Sequence, residues 1–161
     1  MQVLVVFHSR TGNTRRLAEE IGKGVRQVAG VTCVVKAVPE VTQEDFLASD
    51  AVIAGSPVYF GTMAAELKGL FDEFVGVRRQ MADKIGAAFV TGGHPSGGKE
   101  TTLLSILQAL LIYGMIVVGD GLDASGHYGV ACVGSPDAAA VRDAAKLGQR
   151  VAEMVKRLHA Q

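Results

Sequence analysis

Short, unbroken apolar runs alternate along this chain with stretches of helical spacing, and that alternation most restricts the folds open to it. The run "VLVVF", Val3 to Phe7, is too short for a stable helix and has no polar face, so it reads as a strand buried on both sides. After it, Leu17, Ile21, Val25 and Val28 recur at helical spacing while Arg15, Arg16, Glu19, Glu20 and Lys23 fill the other faces, and Gly30 closes the segment. The pattern repeats. "VTCVVKAV", "DAVIAGS", "IGAAFVTG" and "MIVVG" read as further strands. Met63, Leu67, Leu70, Phe71 and Phe74 form the stripe of a second helix, and Leu103, Leu104, Leu107, Leu110 and Leu111 that of a third, which Gly114 can end. "EVTQEDFLAS" has room only for a short helix, and "SPD" offers an N-cap at Ser135 with proline at the first helical position of a C-terminal helix. Such alternation implies an α/β sandwich of three layers, its parallel sheet covered on both faces by right-handed crossovers. Five strands predict the order 2-1-3-4-5, in which the loops after strands one, three and four meet beside the topological switch point.

Those three loops are the candidate site. In the first, "SRTGNT", backbone N–H groups at a helix start, with the side chains of Ser9, Thr11, Asn13 and Thr14, can hold a phosphate; Gly12 permits close approach, and Arg10 either neutralises charge or faces water. An ordinary capped turn is the competing explanation. Neither GxxxxGK[ST] nor GxGxxG occurs, which disfavours a Walker-type site or a dinucleotide fingerprint and leaves a phosphate monoester. The second loop, from Ser56, places Tyr59 and Phe60 between Pro57 and Gly61, and exposed rings there invite stacking on a planar ligand, though one ring can fold back on the adjacent helix. The third loop, from Thr91, carries Gly92, Gly93, Gly97 and Gly98, whose N–H groups can bond a flat heterocycle. His94 is either a substrate contact or a solvated loop residue. His127 and Tyr128 are either the far wall of the pocket or plain surface.

Composition removes whole classes. Sixteen basic side chains balance sixteen acidic ones, so nothing draws the chain to nucleic acid or to an anionic membrane surface. No apolar segment reaches the roughly 20 residues of a membrane span, and "MQVLVV" lacks the basic start of a signal peptide. Cys33 and Cys132 have no CxxC spacing and fit free thiols of a reducing, cytoplasmic compartment. The 161 residues suit one domain, 1–161. The four histidines show no metal-ligand spacing, and no residue is assigned as acid or base.

At "SRTGNT", "GSPVYFGTMAAELKGLFD", "GGHPSGGKETTLLSILQALLIYGMIVV" and "HYG" the chain resembles the flavodoxin-like superfamily and, within it, the WrbA-type NAD(P)H:quinone oxidoreductases. The likeness runs over essentially the whole chain; the first motif is common to the superfamily and the middle ones are narrower. It implies bound FMN, with Ser9 to Thr14 at the phosphate, Val58, Tyr59 and Phe60 along the isoalloxazine and Gly92 to Gly97 at its other edge. It also implies hydride transfer from NADH or NADPH to the flavin, two-electron reduction of a quinone, and a homodimer or homotetramer. Tyr113 falls where many relatives have a histidine near the flavin. The chain is shorter than the usual member between the second and third strands and after the fourth. Two other classes compete. A flavodoxin-type electron carrier would be strongly acidic for docking, unlike this neutral chain. A receiver domain needs acids where this chain has His8-Ser9 and Ser56-Pro57, and is discarded.

Overall fold

The computed structural model describes residues 1–160. Its strands are β1 (Gln2–Phe7), β2 (Thr32–Ala37), β3 (Ala51–Pro57), β4 (Ile85–Gly92), β5 (Ile116–Val117) and β6 (Val130–Val133). The helices are α1 (Asn13–Arg26), α2 (Gln43–Ala48), α3 (Ala65–Glu73), α4 (Lys99–Ile112) and α5 (Ala138–His159), with 3-10 turns at Val38–Glu40 and Phe74–Met81. Short α2 exists because Thr42 and Asp45 cap it reciprocally: the Asp45 amide donates to Thr42 Oγ1, and the Thr42 amide to the Asp45 carboxylate.

All pairing is parallel, in the order β2-β1-β3-β4, with the fifth position beside β4. That position is filled in two pieces. Ile116 and Val117 pair with Ile85 and Gly86 at the start of β4, and Val130–Val133 pair with Phe89–Gly92 at its end. The expected strand "MIVVG" is therefore only two residues long, and the expected five strands are six. The turn-forming "GDG" at 119–121 takes the chain off the edge, which it rejoins only after Gly129. The cap of α5 also differs from expectation. Asp137, not Ser135, accepts the Ala140 amide at 2.8 Å, so Pro136 lies outside the helix.

Alternation along β1 divides the interior into two cores. Val3, Val5 and Phe7 face α1 and α5, whereas Leu4 and Val6 face the side that α2, α3 and α4 cover. Phe46 of α2 is fully buried in the second core, its ring 5.5 to 6.4 Å from those of Phe71, Phe74 and Tyr113. Burying a ring like this contributes about 1.5 to 3 kcal/mol. Tyr113 belongs to this cluster: it is buried, it donates to the Phe71 carbonyl at 2.6 Å, and burial pushes its hydroxyl up to about 12. It stands at the carboxyl end of α4, opposite the end that starts beside the candidate loops, so it has no place near them. On the other side α1 and α5 touch backbone to backbone. A β-carbon on Gly24 would sit 1.9 Å from the Ala145 carbonyl oxygen, and one on Gly148 would sit 2.1 Å from that of Ile21.

Candidate active site

The three loops do meet, and main-chain bonds across the sheet's carboxyl end lock them together. The His8 amide donates to the Gly55 carbonyl at 3.1 Å, the Val58 amide to that of Thr91 at 2.8 Å, and the Gly134 amide to that of Gly92 at 2.8 Å. Beneath the crevice the hydroxyls of Thr14 and Thr91 share a 2.8 Å bond, both residues being buried. Both are sequence-based candidates, and this bond also ties α1 to β4.

The first loop is built as an anion cradle. Ser9 Oγ accepts from the Gly12 and Arg15 amides at 3.2 and 3.3 Å, folding the loop around itself. Gly12 caps α1 with φ of 93°, a left-handed conformation that disfavours larger residues. Among the described residues, the amides of Arg10, Thr11, Asn13 and Thr14 donate to no protein acceptor. The first turn of α1 holds no acid, and Arg15 and Arg16 stand in it. Unpartnered amides at a positive helix end suit a phosphate dianion. That donor set fits the phosphate of FMN. Arg10 is exposed beside it; Arg16 instead reaches Ser135 Oγ at 3.3 Å, which ties α1 to the start of α5.

The second loop is a two-residue hairpin in which the Tyr59 and Thr62 backbones exchange both hydrogen bonds at 3.1 Å. Its central residues, Phe60 and Gly61, have φ of 50° and 78°, the signature of a type I′ turn. Glycine adopts this freely, but phenylalanine there costs about 1 to 2 kcal/mol. The Phe60 side chain is fully exposed, so no packing within the chain offsets that cost. A strained backbone that presents an aromatic ring makes Phe60 a candidate binding surface. Tyr59 is the ring that folds back, edge-on to His8 at 6.4 Å, and His8 Nε2 lies 3.5 Å from Glu66 Oε1.

Of the anchors of this hairpin, Ser56 was a sequence-based candidate, whereas Thr101 and Ser105 were not. Buried Ser56 accepts the Ala64 amide at 2.8 Å and donates to the Pro57 carbonyl at 2.7 Å, which fixes the entry to the hairpin. Thr101 Oγ1 donates to the Gly61 carbonyl at 2.7 Å, and Ser105 Oγ accepts the Met63 amide at 3.2 Å. A hydroxyl at each of two successive turns of α4 was the available signal.

In the third loop Gly93, His94 and Gly97 are exposed. The Gly97 amide is taken by the His94 carbonyl at 3.1 Å, so it is not the free donor expected of it, and His94 Nδ1 accepts the Ser96 amide at 3.2 Å and lies 2.9 Å from Ser96 Oγ. Gly92 ends β4, where a β-carbon would press on Lys99 Cγ at 3.2 Å. Tyr128 belongs to the wall of a different cavity, with His127, behind the first turn of α4. Both thiols are free and inert: burial pushes Cys33 and Cys132 up to about 11. Among the described residues no cluster of three His, Cys, Asp or Glu side chains could hold a metal.

With this geometry in place, comparison with known proteins is informative. The family model described as "NADPH-dependent FMN reductase" matches residues 1–129. An NAD(P)H dehydrogenase (quinone) of Archaeoglobus fulgidus is 35% identical, the match covering 98% of each chain. A flavodoxin of Aquifex aeolicus is 36% identical over 96% of this chain and 86% of its own. Among solved structures, a WrbA-like protein from Agrobacterium tumefaciens superposes with a TM-score of 0.83 over 97% of this chain and 98% of its own. At 23% identity that last likeness shows the fold alone.

Proposed function

Because the chain belongs to the NADPH-dependent FMN reductase family, we propose that it is an FMN-dependent oxidoreductase that takes hydride from NADH or NADPH and delivers two electrons to a quinone. The observation that carries this is a cradle of unpartnered amides at Arg10, Thr11, Asn13 and Thr14, locked to a hairpin that holds Phe60 in the open. What FMN supplies when bound is acceptance of hydride and its return as two electrons to the quinone. The chain's own residues bind and orient. The first loop neutralises the phosphate, Val58, Tyr59 and Phe60 offer a surface to one side of the ring, and Gly92, Gly93 and His94 border the other. Because Phe60 is uncovered, nicotinamide and quinone can use the same open face in turn.

The same proposal takes residues 1–161 as one domain, working in the cytoplasm; no described helix is long and apolar enough to cross a membrane. It includes self-association as a homodimer or homotetramer. Supporting this, α4 has no charged residue from Thr101 to Ile112, and Leu104, Leu111 and Ile112 are 40%, 55% and 66% exposed.

Rapid mixing of the flavin-loaded protein with NADH or NADPH, followed by a soluble benzoquinone, tests the reading. Prompt bleaching, recovery on adding benzoquinone, and parallel-line ping-pong kinetics are expected. Slow bleaching with both nicotinamides and no benzoquinone turnover would assign the chain to the electron carriers instead.

A further inference from the structure

The second and third loops, residues 57–63 and 92–98, contain no lysine or arginine, and the cation that follows the third loop at once is Lys99, the first residue of α4. Its charge is uncommitted. Lys23, Lys36, Lys68 and Lys146 pair with carboxylates and Lys84 reaches the Leu47 carbonyl at 2.7 Å, whereas Lys99 Nζ meets no acceptor among the described residues. Of the others only Lys156, exposed near the end of α5, is likewise without one. Lys99 differs from it in being half-buried.

Its stem has a made seat. A β-carbon on Gly92 would lie 3.2 Å from Lys99 Cγ and 3.5 Å from Val58 Cγ2, so only the bare backbone of Gly92 leaves room for the lysine stem beside Val58. Gly92 ends β4 and the Val58 amide is bonded to the Thr91 carbonyl, so the stem lies over the joint between the second and third loops. The start of α4 is pinned there as well. Thr101 Oγ1 donates to the Gly61 carbonyl at 2.7 Å, and a β-carbon on Gly98 would sit 2.8 Å from Gly61 Cα. Two carboxylates stand nearby. Glu100 is exposed, where water weakens its field, and the Asp137 carboxylate accepts the Ala140 amide.

We infer that Lys99 raises the reduction potential of the flavin, by holding an ammonium beside the edge of the crevice that Gly92, Gly93 and His94 border. This role rests on the proposed FMN chemistry. Hydride carries two electrons and one proton, so its transfer leaves an oxidised nicotinamide and adds one negative charge to the flavin ring. A cation fixed beside that ring favours the charged reduced form over the neutral oxidised one. Arg10 cannot do this from the first loop, because the phosphate it stands beside carries the same charge in both forms.

The test measures the potential of the FMN-loaded protein, without oxygen, against a dye of known potential. Lys99→Met keeps the stem and removes the charge. It should bind oxidised FMN within about twofold of the unmodified chain yet lose roughly tenfold in preference for reduced over oxidised FMN, a fall of about 30 mV for a two-electron couple. Lys99→Gln should fall likewise and decides the matter if the methionine variant does not fold. Lys99→Arg should retain the unmodified potential. A merely structural lysine would weaken both forms of FMN alike and leave the potential where it was. Unchanged potentials in the uncharged variants, or an arginine variant as low as they are, would overturn this role while leaving FMN binding intact. A chain that bound no FMN would overturn the functional reading and this role together.

Discussion

Thr11→Glu is expected to abolish useful FMN binding, lowering affinity by about 100-fold or more, while the apoprotein stays folded. Thr11 is exposed in the first loop, and its amide is among the donors without a protein partner. A carboxylate there meets the phosphate dianion at close range; at an effective dielectric near 20 two unit charges 4 Å apart interact by about 4 kcal/mol, well above the roughly 2.7 kcal/mol of a 100-fold change. The apoprotein should not suffer, because an acid just before α1 complements the helix dipole. Thr11→Ser, which keeps the hydroxyl and adds no charge, should bind nearly as the unmodified chain does. Fluorescence titration of FMN against the three proteins measures this, with thermal melts of the apoproteins as the check on folding.

The largest effect on stability is expected at the crossing of α1 and α5. Alanine at position 148 would place its β-carbon 2.1 Å from the Ile21 carbonyl oxygen and 3.0 Å from the Val25 amide nitrogen. These are backbone atoms of a helix packed on the sheet, so the two helices must separate. Overpacking of this kind costs about 1 to 3 kcal/mol, and a domain of this size loses about 2 to 4 °C of Tm per kcal/mol. Gly148→Ala should therefore melt several degrees lower, and Gly24→Ala, whose β-carbon meets the Ala145 carbonyl at 1.9 Å, should behave alike. Gly69→Ala is the control. Nothing lies within 4 Å of a β-carbon there, and an exposed helical alanine should raise stability by about 0.5 to 1 kcal/mol. A melt in which all three variants moved together would show that helix propensity, not the crossing, sets the change.

What could be read from the sequence follows from where local pattern decides structure. "IGAAFVTG" is an apolar run bounded by turn residues and became β4 at its predicted limits. The first loop was legible because a helix start after a buried strand has unpartnered amides whatever its neighbours do. Strand β6 was not legible: "GVACVG" is short and glycine-flanked, and only the free edge of β4 gives it a partner. Long-range pairing also hid the bond between Thr14 and Thr91, two hydroxyls 77 positions apart. Phe60 was singled out as an exposed ring, but not its left-handed backbone, which the Tyr59–Thr62 pairing imposes. Nothing in "GDG" marks Asp120 in the sequence. Its burial arises from the way the loop closes between two halves of one strand position.

The most direct test of the account is the identity of the flavin that the three loops retain. Heat release from the purified protein, followed by mass measurement and by titration of the stripped protein with FMN and with FAD, should return FMN and restore one FMN per chain. Recovery of FAD, or a stripped protein with no affinity for added FMN, would contradict it.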